Sequence, residues 1–254
     1  MEENDYLLEM VRERVIPEIS DPGTLAYHLA RYEWARQYVK GKEVLDAGCG
    51  VGYGSAMLAE DASHVIAVDL EQAAIEYAKR TYDRKNLKFL VMDCTTMGFD
   101  DCTFDLVVSF EVFEHISDGQ DFVRELCRVL RNDGILVIST PNKITWDLLG
   151  PQADYPFHIN MITPKLFKKI LISSGFAEVE IYGMRKKGTT LYQVLRGLDI
   201  FNLRLRLSFT KFEKEYFVTA LLGRNETALR STDILVSRGQ IRQCNIVMAI
   251  CKKL

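Results

Sequence analysis

One short stretch constrains this chain more than any other: Val44-Leu45-Asp46-Ala47-Gly48-Cys49-Gly50-Val51-Gly52-Tyr53-Gly54. An apolar run ends on an acid, glycines follow at every second position, and helical spacing begins with Ala56, Met57, Leu58 and Ala59. Strand, glycine loop and helix start are written in one segment. Glycine permits positive φ and removes the Cβ that would hold a ligand away from the backbone. A loop that ends at a helix N-terminus also presents free N–H groups to a ligand.

The spacing decides between ligands. The dinucleotide fingerprint G-x-G-x-x-G needs glycines two and then three apart, and Gly48, Gly50, Gly52 and Gly54 never give that triplet. No Lys-Ser or Lys-Thr follows, so the phosphate loop of nucleotide hydrolases is absent too. Asp-x-Gly-x-Gly-x-Gly resembles the first motif of the class I methyltransferases, which use S-adenosylmethionine. In that family the loop packs against the methionine and ribose portions of the cofactor, and the acid contributes to the methionine end.

The following strands carry the resemblance on. His64-Val65-Ile66-Ala67-Val68-Asp69 ends on an acid about twenty residues past the loop, where a ribose-binding carboxylate is expected. Ionised Asp69 offers two acceptor oxygens for two vicinal hydroxyls. Leu87 to Asp93 again ends on an acid, after a helix from Glu71 to about Tyr82. Phe104 to Phe110 is a fourth strand, and Glu111-Val112-Phe113-Glu114-His115 leaves it, similar to the family's fourth motif. Three acids at strand ends, Asp46, Asp69 and Asp93, lie where open α/β sheets bind ligands. The resemblance therefore assigns the cofactor to Asp46, Ala47, Gly48, Gly50 and Tyr53 around the loop. It adds Asp69 and Leu70 after the second strand, Asp93 and Cys94 at an adenine pocket, and Phe110 at the fourth strand's end.

It also implies the architecture: an α/β, doubly wound, seven-stranded and mostly parallel sheet whose last strand is antiparallel. Residues 1–40 read as a helical N-terminal cover, 41–183 as the core, 184–243 as a helical insertion and 244–254 as the last strand, all within one domain. In the cover, Tyr6 to Ile16 reads as a short helix. A second runs from Thr24, taken as N-cap, to a stop at Gly41, with the tips of Tyr27, His28, Arg31 and Tyr32 placed to lie over the cofactor. A helix from Asp121 to Arg131 precedes a turn at Asn132-Asp133-Gly134 and a fifth strand to Thr140. A long loop then leads to Thr163-Pro164, an N-cap and first-turn pair opening a helix that stops at Gly175, before a sixth strand from Phe176 to Tyr182. In the insertion Thr189 to Leu207 and Lys211 to Leu222 look helical, and Arg224 to Gln240 is polar. Capping the site, binding an acceptor and forming a homodimer contact are all compatible with it.

Composition narrows the partners. The chain has 254 residues and a formal charge of −3, giving no basic stripe for nucleic acid. The fourth strand is followed by no Asn-Pro-Pro-Tyr-like or Pro-Cys motif, which argues against DNA as acceptor. Six cysteines without C-x-x-C pairing read as reduced thiols of a cytoplasmic protein. The acidic N-terminus is unlike a signal peptide, and no apolar run is long enough to span a bilayer.

The cofactor brings an activated methyl, so the protein must hold an acceptor lone pair in line with it, an orientation worth roughly 7–11 kcal/mol. A hydroxyl acceptor must also lose its proton, and a general base adds about 10²–10⁴-fold. Of four histidines, His115 follows the strand that faces the methyl in this family, and His158 lies in a Pro-Phe-His loop similar to acceptor-closing loops of small-molecule and glycan-related members. Both are the catalytic candidates, set against plain structural roles. A metal is not expected, because Glu111-x-x-Glu114-His115 is neither H-E-x-x-H nor its inverse and no Cys-His cluster stands in sequence. The expected activity is methyl transfer to a hydroxyl of a small molecule, a sugar or glycan unit. N-methylation of a small amine and a non-catalytic, cofactor-binding partner subunit are the alternatives.

Overall fold

The computed structural model describes residues 14–147, 157–187, 230–239, 241 and 244–254. Eight strands form one sheet: β1 (Glu43–Ala47), β2 (His64–Asp69), β3 (Leu87–Val91), β4 (Phe104–Phe110), β5 (Leu130–Pro141), β6 (Phe176–Lys186), β7 (Ile234–Ser237) and β8 (Ile246–Lys253). Their order is β3-β2-β1-β4-β5-β8-β6-β7. The five strands from β3 to β5 are parallel, and β8 is antiparallel to both β5 and β6. The chain order reverses between β1 and β4, so the crevice beside the ends of these two strands is a switch point of the kind that binds ligands.

Alternation along the strands builds two cores. In β4, Phe104 and Val107 join one cluster with Phe113, Phe122, Leu126, Phe167 and Leu171. Leu106, Val108 and Phe110 point the other way, into a cluster with Ala26, Ala30, Tyr32, Ala35 and Leu58. A parallel sheet needs such cover on both faces. The first face carries α4 (Gly119–Val129) and α6 (Pro164–Ser173); the second carries α1 (Pro22–Ala35) and α2 (Tyr53–Leu58). Helix α3 (Gln72–Thr81) sets Ile75 and Ala78 against Phe89 of β3.

Several boundaries differ from the sequence reading. Helix α1 starts at Pro22, because Asp21 caps it: its Oδ2 accepts from the Thr24 N–H at 2.8 Å. It ends at Ala35 and passes into a 3₁₀ turn, Arg36–Tyr38, well before Gly41. Helix α4 begins at Gly119, where Asp118 Oδ1 accepts from the Gln120 and Asp121 N–H groups. The Asn132-Asp133-Gly134 turn is a bulge inside a longer β5, with Asp133 at φ +60° and the register against β4 shifting between Phe104 and Leu106. The long loop after β5 contains a short helix, α5 (Lys143–Asp147).

The sheet also has one strand more than the expected seven. Within the stretch read as polar insertion, Ile234-Leu235-Val236 is a short apolar run that pairs antiparallel with β6 as β7. Strand β6 itself continues to Lys186, past the boundary placed at 183. The proposed helices Tyr6–Ile16, Thr189–Leu207 and Lys211–Leu222 lie wholly or largely outside the described residues. Among the described residues no helix is long and apolar enough to cross a membrane.

Candidate active site

The glycine loop turns tightly over the end of β1, with Gly48, Gly50 and Gly52 at φ +84°, +54° and +86°. The Gly48 and Cys49 N–H groups both donate to the Val68 carbonyl, at 2.8 and 2.9 Å, which ties the loop to β2. A Cβ on Gly48 would lie 2.2 Å from Val112 Cγ2, and one on Gly54 would enter the Tyr32 ring. At Gly50 a Cβ would meet nothing within 4 Å. The glycines thus divide between close packing and an open cradle.

That cradle is part of a cleft of about 840 Å³ across the carboxyl ends of the parallel strands. The volume lies in the range of sites that enclose most of a drug-sized ligand. Gly48, Gly50 and Tyr53 line it from the loop, and Asp69, Leu70, Asp93 and Cys94 from the ends of β2 and β3. Phe110, His115 and His158 line its other end. Asp46 and Ala47 are not on its wall.

Asp46 is instead fully buried, accepting from Ser55 Oγ at 2.6 Å and from the Tyr32 hydroxyl at 3.2 Å. Burial pushes its carboxyl up to about 7, against the pull of the Ser55 and Tyr32 hydrogen bonds. The sequence placed this acid on the methionine end of the cofactor. In the fold it reaches the cleft through Tyr32, whose ring packs edge-on against Tyr53 and Phe110.

Asp69 closes β2 and lines the cleft, but its carboxylate already has partners. Oδ2 accepts from the Gly50 N–H at 2.8 Å, and Oδ1 from the Glu71 N–H at 3.0 Å and Arg14 Nη2 at 3.2 Å. It therefore fixes the glycine loop as well as facing the cleft. Exposed Asp93 accepts from the Thr95 backbone and hydroxyl, at 2.8 and 2.7 Å, in an Asx turn. Burial raises the Cys94 thiol, which stays protonated.

Helix α1 sets Tyr27, His28, Arg31 and Tyr32 on the cleft wall. His28 Nδ1 lies 2.8 Å from the Tyr53 hydroxyl; burial, then the Arg31 charge, holds its imidazole well below the usual range and therefore neutral. Arg31 is fully buried and lines the cleft, yet its three guanidinium nitrogens have no hydrogen-bond partner among the described residues. Its nearest carboxylate is Glu111 Oε1, at 3.7 Å from Nη1. A buried guanidinium left in this state is costly, and a ligand carboxylate satisfies it with charge-assisted hydrogen bonds. An open cradle at Gly50, acids at two strand ends and an orphaned buried cation fit a cofactor that carries a ribose and an amino-acid carboxylate.

At the other end of the cleft the chain leaves β4 through Glu111, held at φ +57°, with Oε1 accepting from Ser139 Oγ at 2.7 Å. A 3₁₀ turn, Phe113–His115, then buries Glu114, whose Oε2 accepts from Thr140 Oγ1 at 3.1 Å. Burial, then Glu111, raises the Glu114 carboxyl well above its usual range. The segment after residue 156 folds back on this turn: the Asn160 N–H donates to the Glu114 carbonyl, and His115 Nδ1 lies 3.1 Å from the Phe157 carbonyl. His158 thereby comes beside His115, ring centroids 5.1 Å apart, and beside Trp146 at 5.2 Å. Burial and the His115 neighbour lower His158 to about 4.

Ligand atoms of Glu114, His115 and His158 all lie within 4.8 Å of one another. The sequence argument against a metal rested on local spacing. It could not see a donor set closed by a residue more than forty positions away.

A doubly wound sheet with this glycine loop, Asp69 closing β2, Asp93 two residues past β3 and an antiparallel β8 has the class I fold of S-adenosylmethionine-dependent methyltransferases. Residues 45–138 match the model of a methyltransferase domain family. A Mycobacterium tuberculosis protein named probable S-adenosylmethionine-dependent methyltransferase is 34% identical over 179 residues, covering 70% of this chain and 65% of that one. The chain thus spans about two thirds of that relative's length. A ubiquinone biosynthesis O-methyltransferase of Coxiella burnetii is 32% identical over 127 residues, 48% of this chain and 53% of that one. Among solved structures, a Thermotoga maritima protein described as a possible histamine N-methyltransferase aligns with a TM-score of 0.63, at 12% identity, over 99% of this chain and 96% of that one. That likeness concerns the fold.

Proposed function

We propose that the protein binds S-adenosylmethionine in the cleft and transfers its methyl group to a hydroxyl of a small molecule, a sugar or glycan unit. The observation that carries this reading is the joining of two unlike ends in one cleft. The glycine loop, Asp69 and Arg31 suit the cofactor, while Glu114, His115 and His158 suit a polar acceptor.

Bound S-adenosylmethionine supplies a methyl already activated on a sulfonium. This chain's residues do the rest. Arg31 receives the methionine carboxylate, Asp69 the ribose hydroxyls, and Asp93 with Cys94 the adenine edge. With its Nδ1–H donated to the Phe157 carbonyl, His115 keeps its lone pair on Nε2, where it takes up or directs the acceptor's hydroxyl proton. Trp146 and Phe110 add apolar walls that exclude water.

Acceptor screening with a labelled methyl group tests the reading directly. Label is expected in hydroxylated small molecules, and His115→Ala should lower the single-turnover rate by about 10²–10⁴-fold at nearly unchanged cofactor affinity. Label found only on amines, or a variant with the wild-type rate, would refute the hydroxyl assignment or the role of His115 respectively.

A further inference from the structure

We propose that Glu114, His115 and His158 form a binding site for one divalent transition-metal ion, placed to hold the acceptor's hydroxyl oxygen. The ion's role rests on the hydroxyl-transfer reading above; its binding does not.

Three observations point to an ion. The first is the donor set. A carboxylate and two imidazoles whose ligand atoms lie within 4.8 Å of one another line the acceptor end of the cleft. Donors around a zinc-sized ion at about 2.0–2.2 Å stand roughly 3–4 Å apart, so rotation of the two half-exposed imidazoles brings the set to bonding distance. The second is orientation from outside. The Nδ1–H of His115 donates to the Phe157 carbonyl, and the Thr140 hydroxyl donates to Glu114 Oε2. Ligating histidines and carboxylates are held by such outer hydrogen bonds, which fix the tautomer and the direction of the free lone pair.

The third is charge. Glu114 is fully buried, and among the described residues it forms no salt bridge, its Oε2 accepting only from the Thr140 hydroxyl. Arg31, the cation of this region, faces Glu111 at 3.7 Å. A metal ion bonded to Glu114 and the two imidazoles would give this buried carboxylate a partner charge.

The donors choose the class of ion. Two imidazole nitrogens and one carboxylate oxygen suit zinc, cobalt, iron or nickel, whereas magnesium and calcium prefer oxygen throughout. Three protein ligands leave open positions, as in catalytic sites. An acceptor hydroxyl bound there becomes more acidic, as metal-bound water does. In the transfer its O–H proton is released to solvent, the methyl–sulfur bond breaks, its electron pair stays on sulfur, and the oxygen–methyl bond forms. His115 and His158 then act together as ligands; with the ion bound, the His115 Nε2 lone pair is committed to it and no longer takes the hydroxyl proton.

Cobalt(II) is the probe, because its absorption separates nitrogen and oxygen ligands from thiolates, and the six cysteines are free. The protein is stripped with a chelator and titrated. One equivalent per chain is expected, with weak d–d bands and no thiolate charge-transfer band. His158→Ala and Glu114→Gln should each weaken binding about 100-fold or more, while affinity for S-adenosylhomocysteine stays within about twofold as the check on folding. Absence of stoichiometric binding, or equal affinity in both variants, would overturn the site. Full methyl transfer by the stripped protein would overturn the ion's role. Cobalt binding with no transfer to any hydroxyl would instead refute the proposed function and leave the site standing.

Discussion

Replacing Arg31 by methionine should make the ligand-free protein no less stable and its cofactor binding weaker. Arg31 is fully buried on α1, its guanidinium makes no hydrogen bond among the described residues, and its attraction to Glu111 acts at 3.7 Å. Exchanging a buried, poorly paired charge for an apolar side chain of similar volume is neutral or stabilising by about 1–4 kcal/mol. Glu111 loses its neighbour in the exchange but keeps the Ser139 hydrogen bond and partial contact with solvent, so the net gain should fall at the low end. For the cofactor, a charge-assisted hydrogen bond to the methionine carboxylate is worth about 1.5–3 kcal/mol, or roughly 10- to 150-fold in Kd. Urea unfolding without ligand and calorimetric titration with S-adenosylhomocysteine read the two quantities separately. A variant that loses stability yet binds the product as tightly as the parent would refute the reasoning, since Arg31 would then be a structural residue.

The acids give further expectations. Asp69→Ala should weaken cofactor binding by about 1.5–3 kcal/mol; because Asp69 also holds the Gly50 N–H, increased hydrogen exchange at Gly50 should accompany the loss, and unchanged affinity in the folded variant would remove Asp69 from the ribose site. Asp46, raised by burial to about 7, keeps its proton at pH values where the unfolded chain has lost it. Its contribution is therefore most favourable at low pH and declines as pH rises from about 4 to 7. Asp46→Asn should remove that decline, so the variant's stability relative to the parent should increase between pH 5 and pH 8; a pH-independent difference in urea midpoints would contradict it.

What the sequence made legible was whatever is written locally. The loop is readable because positive φ and close packing at Gly48 admit only glycine, and each parallel strand carries an apolar run. The run Phe104 to Phe110 is the whole of β4 for that reason. Thr163-Pro164 likewise announced α6, since capping is settled within one turn. Strand β7 escaped because Ile234-Leu235-Val236 is too short to show a period, and its pairing with β6 bridges about fifty positions.

The site divides along the same line. The ends of β2 and β3 could be assigned from their order, but the burial of Asp46 behind Tyr32 is a property of α1 lying over the loop. In sequence Arg31 is one of four α1 residues expected over the cofactor, with nothing to set it apart from Tyr27, His28 and Tyr32. Its meaning appears only when Glu111, at φ +57°, is seen to leave the guanidinium facing a cleft. In sequence Glu114 and His115 stand as a pair and His158 as a separate loop residue. The Asn160 N–H bond to the Glu114 carbonyl and the His115–Phe157 contact bring them into one cluster. Those backbone contacts leave no mark in residue spacing. A motif argument against a metal can therefore be sound for each local segment and still miss a donor set that the fold assembles.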